Sequence, residues 1–281
     1  MHEFEDNQEG GLLDYDLEQT KVEEAKQNKS VKEGKFFRTT YSERSVQVED
    51  QLSNRLSHFP IRSFLPIKLL KPPSGIYRSR ASKNKVLDVA RRIKNEGIIL
   101  NIGSGTTDLG SNFINMDVFP FPNVNVLGNA HELPFKNYSI EAVAIIGVIE
   151  HLRNPQMIVK EIRRVLKRDG FVYAEIPFIQ GFHPDPYDWK RYTIQGIGEL
   201  FHEFHKIDVG VCVGPASGFV WVLREFLAIL FSFNNYYLYK LSRWLFTWLT
   251  HPISFLDHFL QKNKFSHNIA SSLFFLGKNS E

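Results

Sequence analysis

The residues of this sequence best suited to chemistry begin at a pair of glycines. Gly103 and Gly105 directly follow the apolar run 98–102, a pattern typical of a buried strand that ends in a tight loop. Because glycine has no Cβ, a ligand can approach this backbone closely. The pair indicates a nucleotide-binding loop, although Gly-x-Gly also occurs in ordinary turns.

Two further strand ends follow in series. The run Phe113 to Asp117 closes on a carboxylate, which could accept paired hydrogen bonds from a ribose diol. A third strand, Val124 to Leu127, leads into the segment Gly128 to Phe135. Three strand ends of this kind in order favour a nucleotide-binding α/β sheet over a chance glycine turn.

His151 lies just beyond a fourth strand. The continuous apolar run Ala142 to Ile146 is typical of a central parallel strand, and in such sheets ligands bind beyond the carboxyl ends of the strands. We therefore predict that His151 faces the site. The alternative is that it starts a helix and hydrogen-bonds to backbone.

The most polar loop of the chain follows a fifth strand, Phe171 to Ile176. It carries His183, Asp185, Asp188 and Arg191, which supply an imidazole, acceptors and a donor within nine residues. This composition predicts a lid or a wall for the substrate. The alternative is a structural lid in which Asp188 and Arg191 pair with each other.

Read in order, the segments LNIGSGT, INMDVF, GNAHELPF, AVAIIGVIEHL and LKRDGFVYAEIPF resemble the class I S-adenosylmethionine-dependent methyltransferases, close to the branch containing the quinone-biosynthesis enzymes. The resemblance covers residues 86–213 and a last strand near 273–276. It implies a Rossmann-like α/β sheet of seven strands, the last antiparallel. Here the sixth and seventh strands are separated by some sixty residues, which predicts a helical insertion between them. Only 106–111 separate the first two strands, so the first crossover should be a loop.

The resemblance also implies roles for single residues. S-adenosylmethionine would be the methyl donor, with a glycine loop at its methionine moiety, a carboxylate at its ribose and a short loop at its adenine. The polar loop is similar to the HxDPxDxxRYT segment of glycan and lipid methyltransferases, where it contributes to the acceptor pocket, and either histidine could act as a base. No metal ligands are expected. The cofactor residues are Gly103, Ser104, Gly105, Asp117, Asn129 and Ala130, with Asn129 where the family commonly has Asp; the catalytic candidates are His151, His183, Asp188 and Arg191.

Composition limits the classes of function. The 281 residues, 43% hydrophobic, suffice for one catalytic domain, and a net charge of +3 does not favour a nucleic-acid partner. The single cysteine, Cys212, excludes an intramolecular disulfide and a cysteine-rich zinc site, which favours a reducing, cytoplasmic location. The N-terminus has no signal-peptide pattern.

We divide the chain into three parts. Residues 1–58 form an acidic, disordered tail and leader, with ten acidic and five basic side chains in the first 35 positions. Residues 59–214 and 266–281 form the methyltransferase domain. The basic stretch 61–94 could be a solvated collar or a contact with an anionic membrane, and 82–95 has the spacing of a helix.

The third part, residues 215–265, is the apolar helical insertion. Its first apolar run is interrupted by an Arg-Glu pair and is too short to span a bilayer. In the second, over 236–251, Lys240, Arg243, Thr247 and Thr250 share one helical stripe opposite Leu, Trp and Phe, which is typical of an interfacial membrane helix. A cap over the active site or a homodimer contact would bury the same surface in protein.

The sequence therefore predicts a methyltransferase that acts on a small-molecule or lipid-linked acceptor, glycan-like or quinone-like, as a peripheral protein at the membrane surface. The alternatives are a soluble enzyme with a dimerising helical cap and an inactive adaptor that keeps the fold. A nicotinamide dehydrogenase is disfavoured because Asp108 stands where the third glycine of Gly-x-Gly-x-x-Gly would lie, and its carboxylate would repel a pyrophosphate.

Overall fold

The computed structural model describes residues 97–107, 109–184 and 187–280. The predicted acidic tail, the basic stretch 61–94 and the predicted helix over 82–95 lie outside the described residues.

Seven strands form one sheet in the order β3-β2-β1-β4-β5-β7-β6. The first five strands pair in parallel, and β7 runs antiparallel to both β5 and β6. This order confirms the predicted Rossmann-like sheet with an antiparallel last strand. The strands are β1 (Ile99–Ile102), β2 (Phe113–Asp117), β3 (Val126–Leu127), β4 (Ile140–Ile146), β5 (Leu166–Pro177), β6 (His205–Val213) and β7 (Ser272–Lys278).

The core lies on both faces of this sheet. Successive side chains of a strand point to opposite faces, so Ile99 packs in one apolar cluster while Leu100 and Ile102 pack in the other. A parallel strand buried on both sides needs a continuous apolar run, and β4 supplies one. The sheet is therefore a rigid support for the loops at the carboxyl ends of its strands.

In the described part of the chain, two helices and a helical insertion accompany the sheet. Between β1 and β2 the described residues form turns and no helix, as the short spacing predicts. The insertion between β6 and β7 is helical, as predicted, and contains α3, α4 and the short α5. The helices are α1 (Pro155–Val165), α2 (Ile194–Leu200), α3 (Pro215–Leu230), α4 (Tyr236–Ser254) and α5 (Asp257–Leu260), with 3-10 turns at Ile149–His151 and Ser266–Asn268.

The ends of α1 and α2 are set by local contacts. Gly170 follows α1 in the sequence and is a typical helix terminator, but the helix already ends at Val165 because Leu166 is extended and pairs with Ile140 in the sheet. Helix α2 ends at Leu200. Thr193 caps its N-terminus, since Thr193 Oγ1 accepts a hydrogen bond from the Gly196 N–H at 3.1 Å.

Helix α3 begins at a buried carboxylate. Asp257 is fully buried, and its two oxygens accept hydrogen bonds from the N–H groups of Ala216 (2.7 Å) and Ser217 (2.9 Å). These are N–H groups that the first turn of a helix leaves without intrahelical partners, and a carboxylate there also complements the helix dipole. The contact joins both ends of the insertion, because Asp257 lies more than a helix-length further along the chain.

The polar stripe of α4 is divided, because its last two residues face inward while Lys240 at its start is exposed. Thr247 and Thr250 are buried, and Arg243 donates a hydrogen bond to Glu225 of α3 at 2.8 Å. The apolar stripe, including Leu241 and its neighbours, faces outward instead. Helical periodicity separates two faces but does not say which one packs on protein. Among the described residues, no helix combines the length and apolar composition needed to cross a bilayer.

Candidate active site

The glycine loop after β1 has the conformation that only glycine adopts readily. Gly103 and Gly105 have φ angles of +66° and +51°. A Cβ on Gly103 would lie 2.3 Å from Cγ2 of Val148, so this position packs against the loop that follows β4. A Cβ on Gly105 would meet nothing within 4 Å. Gly105 therefore borders open space in which a ligand can contact backbone.

Asp117 at the end of β2 organises this loop. Its Oδ2 accepts a hydrogen bond from the Gly105 N–H at 2.8 Å, and its Oδ1 accepts one from the Phe119 N–H at 2.9 Å. The Gly103 and Ser104 N–H groups donate to the Met116 carbonyl in addition. A carboxylate has about four acceptor positions, so each oxygen of Asp117 can still accept from a hydroxyl.

The third predicted cofactor-binding segment is the loop after β3, and it lies at the same edge of the sheet as the loops after β1 and β2. The Gly128 N–H donates to the Asp117 carbonyl at 3.0 Å, which holds this loop next to the glycine loop. Asn129 is exposed, its Oδ1 accepts from the His131 N–H at 3.0 Å, and Ala130 is buried. The six predicted cofactor residues thus lie at the carboxyl ends of three adjacent strands. These residues fit a nucleoside that carries a charged amino-acid tail. The backbone at Gly105 is open, Asp117 has spare acceptor positions, and the side-chain amide of Asn129 is exposed.

Glu150, in the 3-10 turn after β4, was missed by the sequence analysis. Its side chain is 3% exposed, and its Oε2 has no hydrogen-bond partner among the described residues. Burial raises the pKa of this carboxyl to about 7. The only hint in the sequence is that Glu150 immediately precedes His151 at the end of a central strand. No sequence pattern predicts that a glutamate at the start of a helix is buried.

His151 and His183 have fixed ring orientations. Nδ1 of His151 lies 2.5 Å from the carbonyl of Tyr187, and Nδ1 of His183 lies 2.7 Å from the carbonyl of Gly181. A carbonyl only accepts, so Nδ1 of His151 carries the proton and its Nε2 presents a lone pair. Nδ1 of His183 has a second contact, 3.1 Å from Arg191 Nη2, which can only donate. The contact with the Gly181 carbonyl is shorter and assigns the proton to Nδ1 and the lone pair to Nε2, and Arg191 Nη2 donates to that same carbonyl at 3.0 Å.

The two Nε2 atoms converge on Glu150. Its Oε1 lies 3.8 Å from Nε2 of His151 and 4.0 Å from Nε2 of His183, and the two rings meet edge to face with centroids 5.5 Å apart. The structure thus brings both predicted histidines together, one from the end of β4 and the other from the loop after β5. The separations are too long for hydrogen bonds.

Asp188 and Arg191 form the pair that the alternative hypothesis described. The guanidinium contacts both carboxylate oxygens, with Nη2 to Oδ2 at 2.6 Å, and Oδ2 also accepts from the His183 N–H at 2.8 Å. Burial alone would raise the pKa of Asp188, but these hydrogen bonds lower it to about 2. Arg191 further donates to the Gln180 carbonyl. Both side chains are thus occupied by contacts within the loop. These contacts favour a role for Asp188 and Arg191 in positioning His183 over a role in contacting the acceptor directly.

A tryptophan of the insertion completes the site, and no sequence signal pointed to it. The ring centroid of Trp221 in α3 lies 5.4 Å from that of His183. The Arg224 guanidinium lies over the Trp221 ring, 4.9 Å from its centroid. A Cβ on Gly181 would lie 2.6 Å from Nε1 of Trp221. The insertion therefore forms one wall next to the catalytic candidates.

A family model described as a methyltransferase domain matches residues 106–174. No curated protein matches the sequence significantly. Among solved structures, the YcgJ protein from Bacillus subtilis is similar at 16% identity and a TM-score of 0.46, over 72% of this chain and 100% of that chain. An S-adenosylmethionine-dependent methyltransferase from Thermotoga maritima is 16% identical, with a TM-score of 0.44 over 71% of this chain and 88% of that chain. A phosphoethanolamine N-methyltransferase from Haemonchus contortus, in complex with S-adenosylhomocysteine, is 16% identical, with a TM-score of 0.41 over 70% of this chain and 53% of that chain.

Proposed function

We propose that this chain is a class I S-adenosylmethionine-dependent methyltransferase that methylates a lipid-linked acceptor at the surface of an anionic membrane. The acceptor would be a glycan-like or quinone-like group that the bilayer presents to the site. The observation that carries this proposal is the outward apolar surface of the insertion.

This surface is unusually large for a protein in water. Twenty of the 28 large hydrophobic side chains that are exposed in the described part of the chain lie between Phe219 and Ile269. On α3 they recur at Phe219, Val222, Phe226 and Ile229, which is one helical face. Exposed apolar surface on this scale marks a contact with a membrane or another protein.

Charge favours an anionic bilayer as the partner. The insertion contains two carboxylates, Glu225 and Asp257, and both are held by hydrogen bonds inside it. Lys240, Lys262 and Lys264 are exposed beside the apolar side chains. Basic residues next to an apolar face attract anionic lipid at about 1 kcal/mol each. A second copy of this protein would present the same positive surface, and the two surfaces would repel each other.

One helix, α3, connects the apolar surface with the catalytic candidates. Trp221 belongs to α3, whose other face is exposed, and it contacts the ring of His183. A lipid-linked acceptor that lies with its chain in the membrane could therefore reach this histidine without leaving the bilayer surface. A freely diffusing acceptor would not require this placement.

The roles of the residues follow from their positions. The sulfonium of the donor supplies an activated methyl group when it is bound. The glycine loop and Asp117 would fix its methionine and ribose parts, while the loop 178–193 and α3 would exclude water from the acceptor side. His151 or His183, each with a lone pair on Nε2, would accept the proton of an oxygen acceptor. Positioning and exclusion of water supply most of the rate enhancement in this kind of transfer.

Vesicle co-sedimentation tests the proposal. The full-length protein should sediment with vesicles of phosphatidylcholine and phosphatidylglycerol, and less with phosphatidylcholine alone. Ile229→Glu combined with Leu241→Glu places two charges on the exposed apolar face and should weaken binding roughly tenfold or more, because burying one such side chain contributes about 1.5–3 kcal/mol. Met157→Glu, at an exposed position on α1, is the matched control and should bind like the wild type.

The alternatives predict other results. If the protein does not bind vesicles and sediments as a dimer that Ile229→Glu dissociates, the apolar face is a subunit interface and the membrane proposal is wrong. If transfer of label from tritiated S-adenosylmethionine into a membrane lipid extract is absent although the donor binds, the inactive-adaptor alternative is favoured.

A further inference from the structure

Glu150, His151 and His183 together have the composition of a metal site. One ligand atom from each lies within 4.8 Å of the other two, and the group combines one carboxylate with two imidazoles. Mg²⁺ and Ca²⁺ take oxygen ligands, whereas imidazole suits zinc, iron and cobalt. The sequence does not predict these metal ligands, because His183 is 33 positions from Glu150 and comes close to it only in the folded protein.

The orientation of the two histidines matches that of metal ligands. In each ring Nδ1 donates to a backbone carbonyl, of Tyr187 or Gly181, and Nε2 is left with its lone pair directed at the cluster. Metal-bound histidines are typically held by such a hydrogen bond at the other ring nitrogen, which fixes the tautomer and the ring direction. The local hydrogen bonds thus prepare both Nε2 atoms to bind an ion.

The carboxylate provides an independent observation. Glu150 is 97% buried, yet within the described part of the chain its Oε2 has no hydrogen-bond partner, and its Oε1 lies too far from both rings to accept from either. A buried carboxylate oxygen without a partner is costly, and such atoms are nearly always hydrogen-bonded or bound to a metal. The backbone of Glu150 is fixed, because its carbonyl accepts from the Trp189 N–H at 2.8 Å.

The distances leave room for one ion. Zinc binds nitrogen and oxygen at about 2.0–2.2 Å, so tetrahedral ligands are roughly 3.4 Å apart. The observed separations of 3.8 and 4.0 Å exceed this by about half an ångström, which small rotations of the two rings would remove. We propose that Glu150, His151 and His183 bind a divalent transition ion of the zinc type, with open positions that face the acceptor.

Such an ion would define the acceptor as a hydroxyl or phenol, a step that rests on the proposed function. A Lewis acid lowers the pKa of an oxygen acid that binds it. Transfer to the oxygen forms a C–O bond and breaks the methyl C–S bond of the donor. The bonding pair stays on sulfur. Because both Nε2 lone pairs would bind the ion, neither histidine would act as the base in this case, and the hydroxyl proton is released to solvent. The open coordination positions would orient the oxygen towards the glycine-loop side, where Val148 contacts Gly103.

Cobalt titration tests the site. The full-length protein, freed of metal by chelation, should bind one equivalent of Co²⁺ with visible absorption bands of a four- or five-coordinate ion. His183→Ala and Glu150→Gln should weaken Co²⁺ binding by more than tenfold, since even changes in groups that only orient a ligand weaken metal binding about 10–100-fold. His202→Ala, which removes an exposed histidine after α2, is the control and should bind normally.

Calorimetry with S-adenosylmethionine on the same samples separates this inference from the proposed function. If the donor binds but wild type takes up no Co²⁺, or if His183→Ala binds Co²⁺ as well as wild type, the metal site is wrong and the methyltransferase function stands. If Co²⁺ binds as expected while the donor does not, the metal site stands and the donor assignment fails. A Glu150→Gln variant that keeps donor binding also shows that the loss of Co²⁺ is not a loss of fold.

Discussion

At the scale of single residues, Asp117 links the proposed donor site to the glycine loop beside it. Its oxygens hold the N–H groups of Gly105 and Phe119, so removing the carboxylate should both loosen the glycine loop and take away the acceptor for the ribose diol. Asp117→Ala should weaken S-adenosylmethionine binding by about 1.5–3 kcal/mol, the range of hydrogen bonds to a charged group. Titration calorimetry measures this affinity. Asp208→Ala, an exposed carboxylate on β6, should not change it, and equal affinity of both variants and wild type would contradict the placement of the donor.

The single residues also show where sequence reasoning ends. The position of Gly103, Asp117 and His151 at one edge of the sheet could be predicted, because the strand ends of a parallel sheet meet there whatever the details of the loops. The contacts of Glu150 and Trp221 could not. The backbone of Glu150 pairs with Trp189 from a later loop, and Trp221 contacts His183 only through the packing of α3.

At the scale of elements, α3 and α4 are joined by a charged contact that depends on pH. Burial alone would raise the pKa of Glu225, but hydrogen bonds from Arg243, Tyr239 and Arg224 lower it below its usual value. The stabilisation by this carboxylate is therefore fully present above the pKa of an unfolded glutamate, about 4.3, and is lost as the pH falls through the lower pKa of the folded state.

Glu225→Gln should accordingly reduce the free energy of unfolding at pH 7, and the difference from wild type should shrink as the pH falls below about 4. Urea denaturation followed by circular dichroism at a series of pH values measures it. Glu199→Gln, an exposed glutamate in α2, should show no such trend. A difference for Glu225→Gln that stays constant from pH 7 to pH 3 would mean that the charge does not stabilise the helix pair.

The elements themselves were predictable to different degrees. Buried parallel strands need continuous apolar runs, so β1, β2 and β4 could be located to within two residues. The end of α1 could not be located from the sequence, because leucine suits a helix as well as a strand. The pairing of Leu166 with Ile140 in the sheet determines where the helix ends. The inward-facing part of the polar stripe of α4 depends likewise on a tertiary contact with α3.

At the scale of the whole molecule, the sheet is completed by its last strand. β7 lies between β5 and β6, pairs with both, and contributes four buried apolar side chains, at 273–276. A chain that ends at residue 271 keeps every predicted donor and catalytic residue, yet it should lose S-adenosylmethionine binding because β6 has no partner and the core is open. Calorimetry and near-UV circular dichroism test this. A truncated chain that binds the donor normally would show that β1 to β5 fold without β7.

The position of β7 also sets an order of events during synthesis on the ribosome. The apolar helices α3 and α4 are translated before the strand that closes the sheet. Their apolar faces are therefore part of the growing chain while the sheet is still incomplete. If the proposed membrane contact forms during synthesis, it would shield these faces from aggregation before the enzyme is complete.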